Sequence, residues 1–155
     1  MSDTGLDVFD KTVQTTNLWL DEITDELGPD RRLAWHALGT VLRAVRDRVP
    51  ADLAAHFAAE LPLLIRGVYY DQYRPSRQPE RTRDRDEFVE RIGKGFAGTR
   101  PINVNDAIRA VLATVSRHVP AGEVENVRGS FPEELRALWP TPEEARAMAR
   151  EDTLH

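Results

Sequence analysis

Laid on itself with an offset of 70 residues, the sequence places Ala37, Val41, Leu42, Val45, Val49, Pro50, Ala51, Pro62 and Arg66 on Ala107, Val111, Leu112, Val115, Val119, Pro120, Ala121, Pro132 and Arg136, all identical. Conservative pairs fill the intervals: Leu38 on Ile108, Phe57 on Val127, Leu61 on Phe131, Ile65 on Leu135 and Val68 on Leu138. With a one-residue shift, Trp19 to Ile23 falls on Phe88 to Ile92. Two unrelated amphipathic helices share an apolar period but not their proline stops, so the pattern reads as an internal duplication. A unit of about 55 residues has too much surface for its volume to be comfortable alone. The expectation is therefore an all-α protein in which two similar multi-helix units pack over a shared core.

Along the chain the period is helical almost throughout. Phe9, Val13, Thr16, Leu20, Ile23 and Leu27 recur at intervals of three and four and predict the buried face of a first long helix, ended by Gly28-Pro29. Trp35, Leu38, Val41, Leu42, Val45 and Val49 mark a second, stopped at Pro50, and Leu53, Phe57 and Leu61 a third. Pro62 opens a short piece with Ile65 and Val68 or Tyr69 facing in. The stretch DQYRPSRQPERTR has no aliphatic residue and predicts an exposed linker over 71–83. Helix resumes at Asp84, where Asp84 and Glu87 have capping-box spacing before Phe88, Val89, Ile92 and Phe96. Asn103 is the expected cap of a helix carrying Ala107, Ile108, Val111, Leu112 and Val115, and Thr141-Pro142-Glu143-Glu144 opens a last short one, frayed after about Arg150. The expected division is unit 1 over 5–70, the linker over 71–83, unit 2 over 84–140, and a C-terminal helix with its tail over 141–155.

Composition narrows the chemistry. The 155 residues are 41% hydrophobic, enough for a core, and contain no cysteine, which excludes disulfides, thiolate nucleophiles and cysteine-ligated metals. That and an acidic, mixed N-terminus without an apolar run predict a cytoplasmic protein, and no stretch has the length of a membrane span. A net charge of -5 argues against nucleic acid as the general partner. No Gly-rich phosphate loop or dinucleotide fingerprint is present, and no cofactor is expected.

The stretch LPLLIRGVYYDQYRP, following VLRAVRDRVPADLAAHFAAELP, resembles the bacterial family known as domain of unknown function 2267, over about Phe9 to Trp139. The resemblance implies an all-helical protein without an established activity. This chain has Tyr73 where the resemblance implies a tryptophan.

The same stretch supplies the candidate site: Arg66, Tyr69, Tyr70 and Tyr73 as a surface for a small anion or a protein partner, with His36 as a further suspect in a crevice between the units. Against it stands a structural reading, in which Arg66 caps or bridges, as Arg136 at the matching position suggests, and the tyrosines seal the core edge. Asp21, Glu22, Asp25 and Glu26 put carboxylates at i and i+4, but no Glu-x-x-His pair accompanies them and no metal site is expected. His36, His56, His118 and His155 have no serine or second histidine at ligand spacing, so no catalytic residue is assigned; His36 could meet Asp52 or His56 only by tertiary packing. Arg74, Arg77, Arg81, Arg83 and Arg85 form a basic run that Asp71, Glu80, Asp84 and Asp86 interrupt, which favours a solvated, self-paired loop; nucleic acid, if bound, would touch here, with Tyr73 stacking on a base. The function expected is a non-enzymatic interaction module with a protein partner. The alternative is a small-ligand or metal-dependent activity between the units.

Overall fold

The computed structural model describes residues 4–154, with side chains through Met148. Every regular element among them is helical: α1 (Asp7–Leu27), α2 (Arg31–Arg48), α3 (Ala51–Ala58), α4 (Leu63–Tyr70), a 3-10 turn at Pro75–Arg77, α5 (Arg85–Lys94), α6 (Val104–His118), α7 (Ala121–Gly129), α8 (Glu133–Arg136) and α9 (Pro142–Leu154). The boundaries fall where the local chemistry puts them. Asp30 and Asn103 accept from the backbone N–H three residues on, at 3.1 Å each. The Asp84 carboxylate accepts from Asp86 N at 2.7 Å, one position earlier than a capping box would place the bond. Pro50, Pro62, Pro120 and Pro132 each sit as the residue before a helix, where the fixed φ suits the entry and no N–H is missed.

The helix starts recur with the offset of the sequence: α3 and α7 begin at Ala51 and Ala121, α4 and α8 at Leu63 and Glu133. Part of the packing has the same correspondence, although the α2–α4 contact has no equally close counterpart between α6 and α8. Helix α1 lies against α6 and α5 against α2, two contacts that exchange when the units are exchanged, while α2–α6 and α3–α7 map onto themselves. One apolar cluster runs from Trp19 through Leu38, Val41, Phe57 and Tyr69 to Ile108, Val111, Phe131 and Trp139, so both units contribute to a single core. Tyr69 and Trp139 occupy matching positions, both buried, and each satisfies its polar atom internally: Tyr69 Oη donates to Ala54 O at 2.7 Å and Trp139 Nε1 to Ser116 Oγ at 3.0 Å. Helix α9 closes the far side of α6, with Ala145 and Met148 on Ala113.

Three expectations need correction. Phe9 and Val13 are not core residues. They are 47% and 41% exposed: along α1 only Thr16, Trp19, Leu20 and Ile23 are buried, although Thr12 on an early turn meets α4 and its hydroxyl accepts from Leu64 N at 3.0 Å. Helix α5 ends at Lys94 rather than beyond Phe96, since the chain must pass close to α2: a Cβ on Gly95 would lie 2.5 Å from Thr40 Cγ2. Helix α9 is longer than the short piece expected, its backbone running from Pro142 to Leu154, and position 155 lies outside the described residues.

Candidate functional site

The Arg66 guanidinium is held by backbone through Nε and Nη2. Nε donates to Ala58 O at 2.9 Å, and Nη2 to Leu61 O at 3.0 Å and Ala59 O at 3.3 Å. These carbonyls belong to the last residue of α3 and the turn that follows it, where helix geometry leaves acceptor capacity unfilled. Arg136 does the same for α7, with Nε to Phe131 O at 2.8 Å and Nη2 to Gly129 O at 3.3 Å. The matching arginines thus fasten the bend between matching helices.

The tyrosines separate by depth. Tyr69 is buried against Phe57, ring centroids 5.8 Å apart, and burial, with the neighbouring Tyr70 and Tyr73, pushes its hydroxyl well above the ordinary value of 10.0. Tyr70 is exposed and packs edge-on to Tyr69 at 5.2 Å. Tyr73 has Arg46 over its ring at 4.8 Å, and its hydroxyl donates to Gln78 Oε1. His36 is elsewhere: Nε2 donates to Gly95 O at 2.5 Å and the ring stands edge-on to Phe96. It lies ten positions before Arg46 on α2, roughly 15 Å along the axis. Arg66, the tyrosines and His36 therefore do not converge on one site. His36 does not meet His56 either, which faces Glu123 across α3 and α7 at 3.2 Å.

Arg46, which sequence periodicity passes over, is the organising residue beneath the linker. It is 3% exposed, donates from Nη1 to Tyr69 O and Asp71 O at 2.7 Å each, and pairs through Nε with Asp47 at 2.8 Å. Its partners come 23 and 25 residues later, so no local signal marks it. Gln78 Nε2 donates to Arg46 O at 2.5 Å and Val49 O at 2.6 Å, Glu80 N to Asp47 O at 2.8 Å, and Arg48 Nε to Thr82 O at 2.6 Å. The linker is thus mostly exposed but fastened to the end of α2 at four points, with Thr82 buried.

This fastening overturns the self-paired reading of the basic run. The Glu80 carboxylate pairs with Arg91 on α5, which also holds Asp47 at 3.0 Å, and Asp84 caps α5. Arg74, Arg77, Arg81, Arg83 and Arg85 form no ion pair among the described residues. All but Arg85 border two open pockets that share Arg77, Gln78 and Glu80. One of about 620 Å³ is lined also by Arg48, Arg81 and Arg83, the other, about 410 Å³, by Asp47, Arg74 and Arg91. Burial holds the Arg48 guanidinium below the ordinary arginine value, and the charge of Arg83 acts in the same direction. One face of the Tyr73 ring is covered by Arg46.

The crevice between the units is a third pocket of about 340 Å³, between the α1–α2 turn and the segment entering α6. Asp30 and Arg100 bridge it at 3.3 Å, and it is lined by none of the predicted site residues. The acidic run of α1 disperses: Asp21 pairs with Arg31 at 2.8 Å, while Glu22 takes Arg117 at 2.8 Å and His118. Among the described residues no group of three or more His, Cys, Asp or Glu is disposed to hold a metal, and no helix is long and apolar enough to cross a membrane.

Fold and site together define a class: an all-helical protein with one core and an arginine-bordered loop fastened to the end of α2. The sequence model of an uncharacterized conserved protein family, DUF2267, matches residues 16–138, and the chain belongs to that family. No curated protein matches it.

Proposed function

We propose that this is a non-enzymatic interaction module of the bacterial cytoplasm, built by duplication of one helical unit, whose recognition face is the loop 71–83 and whose partner is an acidic protein surface. The observation that carries the reading is the imbalance of charge at the loop. Its arginines lack carboxylate partners, while Glu80 and Asp84 are turned to α5. Unpaired guanidiniums on a fastened loop can form charge-assisted bonds to a partner with little ordering cost. The Arg66–Tyr69 edge is a weaker surface, because Arg66 has its donors on α3 and Tyr69 is buried.

The test is affinity capture from bacterial lysate with wild type and an Arg77→Gln, Arg81→Gln variant, both checked by circular dichroism. The reading predicts an acidic protein held by wild type, released by raising salt, and lost from the variant. A partner retained equally by both would refute it.

A further inference from the structure

We propose that the pocket on the Arg48 side of the loop is a site for a phosphate monoester carried by a segment of the protein partner. This inference rests on the loop being the recognition face. Two guanidiniums, Arg48 and Arg83, border one pocket, and Arg77 and Arg81 complete its cationic wall. The one carboxylate that lines it, Glu80, is paired with Arg91 outside it. Arg48 is held in place because its Nε is bonded to Thr82 O, which leaves its terminal nitrogens as donors. Thr82 is itself buried, so this wall of the pocket is set before a ligand arrives.

The chemistry of the occupant follows from charge and from what is missing. A carboxylate brings one negative charge and neutralises one guanidinium. A phosphate monoester brings about 1.5 to 2 with three acceptor oxygens, matching two forks at once. The lining contains no aliphatic or aromatic side chain beyond Pro79, so an apolar body finds no surface there. The nearest tyrosine of the loop, Tyr73, has its ring under Arg46 and its hydroxyl on Gln78. The pocket is open, about 620 Å³, roomy enough for a phosphorylated side chain with adjoining main chain.

The experiment is calorimetric titration at constant ionic strength with three probes: a short blocked glycine–alanine peptide carrying one phosphoserine, the same peptide with glutamate in its place, and inorganic phosphate. Each is run on wild type, Arg83→Gln and Arg74→Gln. Arg83 and Arg74 are exposed and without ion pairs, and Arg74 lines only the second pocket, so the two variants change net charge alike. The expected result is binding of the phosphopeptide about tenfold or more tighter than either other probe, weakened about tenfold by Arg83→Gln and less than about threefold by Arg74→Gln. Equal affinity for the glutamate peptide would overturn the phosphate assignment while leaving the loop as the recognition face. Equal affinity for inorganic phosphate would overturn the partner-borne source. Equal losses in the two variants would replace the pocket by diffuse charge, and no binding of any peptide would overturn the pocket, whereas the reading beneath it falls only if lysate capture is unchanged in the Arg77→Gln, Arg81→Gln variant.

Discussion

Replacing Arg66 by alanine removes three charge-assisted bonds to the end of α3. Two are short and one, at 3.3 Å, is marginal. A bond from a charged donor contributes about 1.5 to 3 kcal/mol when its acceptor is left dry, and less where water can take its place. Arg66 is only half-buried, so about 1 kcal/mol for each short bond is the appropriate figure, and the variant should lose about 2 kcal/mol. Arg136→Ala removes one short and one long bond from a more exposed site and should lose about 1 kcal/mol. Arg66→Lys should recover less than half of the loss, because an ammonium cannot present the guanidinium fork to carbonyls in this arrangement. Urea titration followed by circular dichroism reads these as shifts of midpoint at unchanged slope. If Arg66→Ala stayed within about 0.5 kcal/mol of wild type, the capping account would be wrong and the arginine would be free for a ligand after all.

Three other perturbations test the packing. Gly95→Ala puts a methyl 2.5 Å from Thr40 Cγ2, on a side chain too short to swing away, and should cost about 1 to 3 kcal/mol in urea titrations, with Thr40→Ser in the same chain restoring part of it. Tyr69→Phe removes a buried hydrogen bond to Ala54 O, which keeps its helical donor in α3, and should cost about 0.5 to 1.5 kcal/mol in the same assay, with the fold kept. Burial alone would raise the Glu22 carboxyl, but hydrogen bonds and charge from His118 and Arg117 hold it below its ordinary 4.5. A depressed carboxyl contributes stability that is present above 4.5 and lost as pH falls through the lower folded value. Glu22→Gln should therefore be less stable than wild type at neutral pH, with the difference closing in acid; a difference independent of pH would count against the ion cluster.

The helical framework was legible because its signals are local. Asp30 and Asn103 cap as their side chains dictate, and the prolines at 50, 62, 120 and 132 stand at the helix entries that the repeat predicts. What escaped the sequence was set by contacts between distant residues. Periodicity shows which face of α1 is apolar but not which of its residues a neighbouring helix covers, so Phe9 and Val13 read as core and are exposed. Arg46 sits among valines and leucines at core spacing, and the carbonyls of Tyr69 and Asp71 at the end of α4, with the Asp47 carboxylate, make its burial tolerable. The basic run read as self-paired because its acids alternate with its arginines, yet Glu80 finds Arg91 on another helix and leaves the arginines without partners. Arg66 was half-legible: the match to Arg136 pointed to a shared structural task, and both guanidiniums fasten a helix end.

The most direct test of the account sets its structural arginine against its recognition arginines in one experiment. Lysate capture is compared between Arg66→Ala and the Arg77→Gln, Arg81→Gln variant, at a temperature where circular dichroism shows both folded. The account predicts that Arg66→Ala, though less stable, still holds the acidic partner, and that the loop variant, as stable as wild type, does not. Capture lost from Arg66→Ala and kept by the loop variant would contradict it and return the site to the tyrosine edge.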